Sequence, residues 1–554
     1  MKAKTILSVF IVIMAAVFLR IPAKADAAPA EIVRVGLYTG ENSLDSANLL
    51  NYKGSGYAFG YFNEDRSFVR LAHTDETAIT MLKDWSMYLY RGAYHTTAVS
   101  GCETIGCYHI RLSEVYPSFE EAAEAAKAIS DAFPAYHDGE WRICVGSYTS
   151  QAAAEEARLR RGIDGEARTA SKYCVTVVIT GSTRIIFQFD GGERLPLAVM
   201  PCCTAEEKAI TWFKGQSYYG GFQYSRLNGD TLTVLNFVQM DDYVKGVIPY
   251  EMSSSWPLEA LKAQAVAART YAARQMAGGT HTRYGYDLCT TDCCQVYRGT
   301  SYANDVTNQA VDETGGVYMT YDGEYIEAFF HSSDGGATED CENVFTEALP
   351  YIRGRVDVYE QNVHTGKENW SYVYTAAEIT SILNMKGYSC GTIVSITPVY
   401  TRLGNIKSLT FRDAYGKTIT VSDAKAGSIL YSNTYGKYTH SQRFTVTDAD
   451  DTHDTVPVTP SGSGSRVLVL GAGGTIKQYD EKDRLSVLTA SGKIEYTLSG
   501  NTQGEPISAQ RYLVKGSGWG HNLGMSQYGA KAMAELGLSY LDILSFYYYG
   551  VNIG

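Results

Sequence analysis

The sequence predicts an α+β, multidomain protein: a β-rich core with a few key helices, accompanied by a small β-α-β-α module. Three patterns carry that expectation. Short strand-like runs such as VTVVITG and TRIIFQFDGG follow one another from about Tyr173, separated by Gly-rich turns. Leu258, Leu261, Ala265, Ala268 and Ala272 recur at spacings of three and four, which predicts a helix with a thin buried face, ended by Gly278 and Gly279. Between Tyr108 and Arg161 two strand-then-helix units succeed each other: Tyr108 to Leu112 with Ser118 to Phe133, and Trp141 to Val145 with Ser150 to Arg161. With 554 residues, 45% of them hydrophobic, the chain is long enough for about two to four domains with packed cores.

Taken in order, residues 1–27 read as an export signal, with Lys2 and Lys4, an apolar run from Ile6 to Leu19, and a small-residue pattern at Ala25 to Ala27. That run falls short of the roughly 20 residues that cross a bilayer, so cleavage is expected, and an uncleaved segment would act as an N-terminal anchor. No other membrane span is expected, and the protein should work outside the cytoplasmic membrane, secreted or at the cell wall. Residues 31–99 form an N-terminal β-rich segment, 100–165 the β-α-β-α module, and 170–447 the main core. Residues 448–465 (DADDTHDTVPVTPSGSGS beginning at Asp448) are a linker, 466–510 a β-hairpin insertion, and 511–554 a closing segment that completes the core.

A formal net charge of -12 argues against nucleic acid or an anionic membrane surface as the main partner, and leaves a neutral glycan acceptable. Tyrosine outnumbers phenylalanine 43 to 18, an aromatic composition that suits half-exposed strands and sugar-stacking grooves alike. Eleven cysteines leave at least one thiol unpaired in a monomer, and their spacing sets no connectivity.

The chemistry centres on Glu251, placed between a strand-like run from Asn236 and a helix that begins near Pro257. Breaking a glycosidic bond needs a proton on the leaving oxygen, which a carboxylic acid in an apolar setting can supply. A hydrolase adds a second carboxylate. Asp241, Asp242 and Glu259 are the neighbours available, and none is obviously paired with Glu251 by position. Lys262 and Arg269, seven apart on one helix face, could steady it.

The run Tyr243 to Tyr271, together with CQVYRG (Cys294 to Gly299), TGG (Thr314 to Gly316), FHSSDGGAT (Phe330 to Thr338) and GSGWGHNLGMSQYGAKAMAELGLSYLDILSFYYYG (Gly516 to Gly550), resembles the SpoIID/LytB family of peptidoglycan lytic transglycosylases and amidase enhancers. The resemblance covers about half of the chain. It implies that Glu251 is the single catalytic acid/base, and that the 6-hydroxyl of the muramic acid attacks to close a 1,6-anhydro ring, so no second carboxylate is needed. Gln264, Arg269, Tyr271, Gln295, Tyr297, His331, Ser332, Ser333, Trp519, His521, Gln527 and Tyr528 are then expected to bind or position substrate, with a structural role in packing as the alternative for each. Asn522 and Tyr549 depart from the family pattern, which usually has Gly and Pro there; Asn tolerates the left-handed backbone that Gly would supply.

The second unit of the module, RICVGSYTSQAAAEEARLRR, is similar to the SPOR domain, which binds glycan strands stripped of peptide; any small alanine-rich α+β repeat is the rival reading. No cofactor is required. Cys289, Cys293 and Cys294 with His331 offer ligand types that zinc accepts, against a simpler role as buried or disulfide-bonded cysteines. Expected partners are peptidoglycan glycan strands and an amidase or other cell-wall hydrolase. The rival functions are a noncatalytic wall-binding amidase enhancer and a cysteine hydrolase using Cys294 and His331.

Overall fold

In the computed structural model, residues 31–450 and 502–554 are described apart from positions 205–206, 280, 291–293, 346, 361–362, 364–365 and 367–368; between 466 and 496 four strands are described by backbone alone. The expected signal at 1–27 and nearly all of the 448–465 linker lie outside the described residues.

Two sheets face each other across one core. The first runs in the order Leu288–Cys289, Ile32–Tyr38, Thr233–Gln239, Gly221–Ser225, Leu197–Cys203, Gly54–Phe62, Phe68–Thr74. The second, of ten strands, includes Ile185–Asp190, Val175–Ile179, Ala78–Lys83 and Ser46–Asn51 at its centre. Alternate residues point inward: Val33, Val35 and Val234 from one sheet and Leu49, Ile79, Met81 and Val177 from the other join a single hydrophobic cluster. Phe59 stacks on Phe187 across the gap, ring centroids 5.0 Å apart. Strands from 31–99 therefore lie in both sheets beside strands from 170–239, rather than forming a unit of their own.

The module at 100–168 has one more strand in its middle and one at its end than the two-unit repeat predicts. Its order is strand Tyr108–Leu112, helix Phe119–Ala126, strand Ala132–His137, strand Glu140–Tyr148, helix Gln151–Arg161, strand Gly165–Arg168. The helix expected to reach Phe133 stops at Ala126, because Asp138 and Gly139, both at positive φ, close a two-residue hairpin that draws Ala132–His137 into the sheet. Both helices are capped by serine, Ser118 and Ser150, whose side chains accept the N–H of the third residue on. Ala132–His137 also pairs in parallel with Ile185–Asp190, so the module continues the ten-stranded sheet.

The helix Leu258–Met276 is buried nearly all round. Besides the expected face, Ala260, Ala263, Val266, Ala267 and Ala273 are covered. Alanine permits this: helices Asp305–Asp312, Gln527–Glu535 and Tyr540–Tyr547 pack against it at close range. Pro257 sits at its N-cap, and two short helical turns, Met240–Lys245 and Ile248–Glu251, come between it and the preceding strand.

A second lobe has its own core, with Ile379, Leu383, Ile396, Leu409, Phe411, Val446 and Val514. In it Arg511–Gly516 lies between Trp370–Thr375 and Phe444–Asp448. That strand returns the chain to the first core, where Met525–Ser526 pairs in parallel with Phe330–His331 and Trp519 bridges Ser333. In the insertion, Arg466–Leu470 pairs with Ile476–Asp480 and Leu485–Thr489 with Gly492–Tyr496, as two hairpins. No helix among the described residues is long and apolar enough to cross a membrane.

Candidate active site

Glu251 is the last residue of the turn Ile248–Glu251 and is half-buried. Its carboxylate collects donors from two distant segments: the Val296 N–H meets Oε1 at 3.2 Å, and the Gln527 amide meets Oε2 at 3.1 Å. Segments about 45 and 276 residues away along the chain thus converge on one acid. Gln527 itself is held as the first residue of Gln527–Glu535, whose N-cap Ser526 accepts from Gly529 N–H at 3.1 Å.

Among the described residues, the three acids singled out in the sequence are engaged elsewhere. Asp241 receives two bonds from Arg269, 3.0 and 2.8 Å. Asp242 pairs with Lys208. Glu259 binds Lys262 at 2.9 Å and caps Tyr540 N–H at 2.8 Å. Neither Lys262 nor Arg269 therefore steadies Glu251. Arg269 is fully buried and also reaches the Val311 carbonyl at 3.2 Å, so it ties helix Asp305–Asp312 to the central helix.

The other expected positions separate into two groups. Near the Glu251 carboxylate are Gln527 and Tyr528; the Tyr528 ring lies 4.9 Å from Trp256, and its N–H donates to the Ser332 carbonyl at 3.1 Å. Trp519 is 45% exposed and stacks on His440 at 3.9 Å. Behind this surface lie packing groups. Tyr297 is buried and donates to Asn236 Oδ1 at 2.7 Å. Gln295, equally buried, donates to the Tyr243 hydroxyl at 2.9 Å and the Ala268 carbonyl at 3.2 Å. Gln264 is enclosed within the central helix's packing. Tyr271 borders a cavity of about 530 Å³ with Arg274, Cys294, Phe329 and Cys341.

His331 and His521 have rings 5.4 Å apart, and burial holds them down at about 4 and about 3, so both are neutral near pH 7. His331 Nδ1–H donates to the Leu523 carbonyl, and His521 Nδ1 accepts from Leu523 N–H, each at 3.1 Å. The two imidazoles clasp one residue of the turn. Asn522 between them has φ 63°, the left-handed geometry anticipated for it, and donates to Asn405 Oδ1 at 3.2 Å.

Ser333 belongs to a buried knot that the sequence did not reveal. Glu360 accepts from Ser333 and Ser526 hydroxyls and from the Asp334 and Gly335 N–H groups at 3.0 and 3.1 Å. All four of its acceptor positions are filled. Asp334 and Asp357 lie beside it, and burial followed by the neighbouring carboxylates raises both above the usual aspartate range. Gly335, at φ 66°, is required here: a Cβ would come within 2.7 Å of Gly518 N.

The donor set for a metal also differs from the expected one. Cys289, Cys294 and His281 each bring one ligand atom within 4.8 Å of the others. Cys293 lies outside the described residues, and His331 is placed with Leu523 instead. Two thiols and an imidazole fit zinc, which would tie the strand Leu288–Cys289 to the loop leaving the central helix. His281 gave no sequence signal beyond being one of ten histidines.

The family profile described as "Stage II sporulation protein" matches residues 228–321, the stretch holding Glu251, Val296 and the central helix. The chain is 32% identical to the amidase enhancer of Bacillus subtilis over 312 residues, 56% of this chain and 40% of that protein. An uncharacterised protein of Brachyspira hyodysenteriae is 30% identical over 339 residues, 61% of this chain and 73% of that one. Stage II sporulation protein D of Bacillus subtilis is 27% identical over 329 residues, 57% and 74% of the two chains. The chain thus spans well under half of the amidase enhancer and about three quarters of the others. The profile match over residues 228–321, together with relatives of this identity and coverage, makes this chain a member of the SpoIID family.

Proposed function

We propose that the protein is an exported peptidoglycan lytic transglycosylase. It would cleave the β-1,4 bond between N-acetylmuramic acid and N-acetylglucosamine, leave 1,6-anhydro ends, and act on peptide-free strands in cell-wall remodelling linked to sporulation. One observation carries the reading: the Glu251 carboxylate is met by Val296 and Gln527, while Asp241, Asp242 and Glu259 are bound to cations of their own. A hydrolase needs a second carboxylate at a set distance from the first. A transglycosylase needs one group that donates a proton to the leaving oxygen and then accepts one from the attacking 6-hydroxyl. Glu251 alone suffices for that cycle, with Gln527 and Val296 fixing its orientation. The module at 100–168 would hold the glycan near the site.

The test is mass analysis of peptide-free sacculi after digestion. The wild-type protein should release anhydromuramic ends, and Glu251→Gln should abolish release while strands still bind. Undiminished release by the variant removes Glu251 from the mechanism. The similarity to an amidase enhancer favours a second reading, a wall-binding protein that stimulates a partner amidase. On that reading the wild-type protein yields no anhydro product and raises amidase turnover when added to it.

A further inference from the structure

Two aromatic pairs flank Glu251, each joined to it through a residue that also touches its carboxylate or lies beside one that does. On one side is Tyr250, the preceding residue. Its hydroxyl lies 3.4 Å from the Arg298 carbonyl, two residues beyond Val296, whose N–H meets the Glu251 carboxylate. Two residues of extended chain reach about 7 Å at most, so the Tyr250 hydroxyl and the carboxylate are held by the same short span. Tyr302 packs edge-on against Tyr250, centroids 5.5 Å apart and planes at 87°, and is 67% exposed. Most of its ring surface is therefore accessible to a ligand. On the other side, Gln527 holds the second carboxylate oxygen, and its neighbour Tyr528 packs against Trp256 at 4.9 Å with Lys531 5.6 Å from the indole centre. Trp256 and Tyr528 are both half-buried.

Aromatic rings that reach solvent near Glu251, Tyr302 largely exposed and Trp256 half-buried against Tyr528 and Lys531, suit the way pyranose rings are held, their C–H faces against an aromatic plane and their hydroxyls outward. A site that bound only a strand end would need such a face on one side and a wall on the other. We propose that Tyr302 and Trp256 are sugar-stacking positions on opposite sides of the bond to be cut, so that the site takes the interior of an N-acetylhexosamine strand rather than its end. The proposal rests on the reading of Glu251 above and adds to it where the strand lies and which strands are cut. Tyr302 contributes nothing to the hydrophobic core, so its removal leaves the fold in place.

The experiment measures binding of peptide-free glycan strands of two and of eight sugars in the Glu251→Gln background, where nothing is consumed. Tyr302→Ala should weaken the eight-sugar strand about fivefold and leave the two-sugar strand within about twofold, whereas Tyr302→Phe, which keeps the ring, should match the parent. Trp256→Ala should weaken the long strand comparably, with Trp256→Phe restoring it. With active protein, the first products from long strands should be fragments of several disaccharides. Equal long-strand affinity in Tyr302→Ala and its parent, no strand binding at all, or release of single disaccharides from the outset would each overturn the proposal. A wild-type protein that forms no anhydro ends, yet whose long-strand affinity drops with Tyr302→Ala, would sink the transglycosylase reading and leave the two stacking positions standing.

Discussion

Arg269 offers a decision between two roles that the sequence left open, substrate positioning and support of the fold. Its side chain is 0% exposed, and it spans from Asp241 to the Val311 carbonyl at the end of helix Asp305–Asp312. Replacing it by alanine strands a buried carbonyl, at about 1 kcal/mol or more, and leaves a cavity where the aliphatic stem packed, at about 2 kcal/mol. A loss of ~3 kcal/mol is expected. Asp241 presents the opposite case, because its side chain is 47% exposed and can return to water. Asp241→Asn keeps an acceptor for the guanidinium but leaves its buried charge without a carboxylate, and should cost about 1–2 kcal/mol, less than Arg269→Ala. Arg269→Lys keeps the charge but not the planar fork, and should fall between the two. Chemical denaturation followed by tryptophan fluorescence measures all three, and hydrogen exchange at helices Leu258–Met276 and Asp305–Asp312 locates the loosening. Strand affinity of the Glu251→Gln protein should be unaltered by Arg269→Lys. If Arg269→Ala kept full stability and lost glycan binding, or if Asp241→Asn cost as much as Arg269→Ala, the strut argument would fail.

Gln527→Leu removes a donor to Glu251 and should lower kcat on long strands about tenfold with little change in KM, as expected of a group that orients the acid; a change confined to KM would contradict this. The raised aspartates of the Glu360 knot make stability fall with rising pH: each holds its proton more tightly folded than unfolded, so its contribution is whole below the ordinary aspartate range and is lost as pH climbs through the raised value. Asp334→Asn should flatten the dependence of melting temperature on pH above the ordinary aspartate range, and an unchanged slope would refute the assignment. Zinc held by His281, Cys289 and Cys294 should appear as one equivalent in native mass spectra; Cys294→Ser or a chelator should remove it and lower the melting temperature, and a metal-free spectrum from zinc-supplemented protein would exclude the site. Gly335→Ala should cost over about 2 kcal/mol through its left-handed backbone and its clash with Gly518, measured by thermal unfolding.

What the sequence made legible, and what it hid, follows from whether the signal was local. Periodicity revealed the helix Leu258–Met276, but an alanine-rich stripe reads as a thin amphipathic face whether one side or every side is covered. Only the packing of three other helices distinguishes those cases. In the module, Asp138-Gly139 is a strong hairpin signal just beyond the stretch read as helix, and the strand it pairs, Ala132–His137, ends the helix early. Gln527 and Tyr528 were named from a motif and lie at Glu251 and Trp256. Arg269, Tyr297 and Gln295 were named from the same motifs, yet their polar atoms are turned inward to Asp241, Asn236 and Tyr243. A motif marks that a residue type matters without telling whether it faces substrate or core. Glu360 carried no local pattern, because its partners are contributed by segments 25 to 166 residues away along the chain; His281 lies close in sequence to Cys289 and Cys294, yet its spacing to them matched no pattern read there.

The same distance along the chain explains why the second lobe bears on chemistry it does not contain. Strand Arg511–Gly516 is the middle of a three-stranded sheet in that lobe, and it is followed at once by the turn that bears Trp519. His440, from the same lobe, stacks on Trp519, and the Ser441 hydroxyl donates to the Ser517 carbonyl at 2.6 Å. Eight residues beyond Trp519 comes Gln527, a group that orients Glu251. Between them the turn is gripped by His331, His521 and Asn522, and Ser526 is bound to Glu360. The segment is thus anchored at each end by a different core, with little slack between. A substitution that loosens the second lobe, such as one at the buried Val514, should reach the acid through this segment.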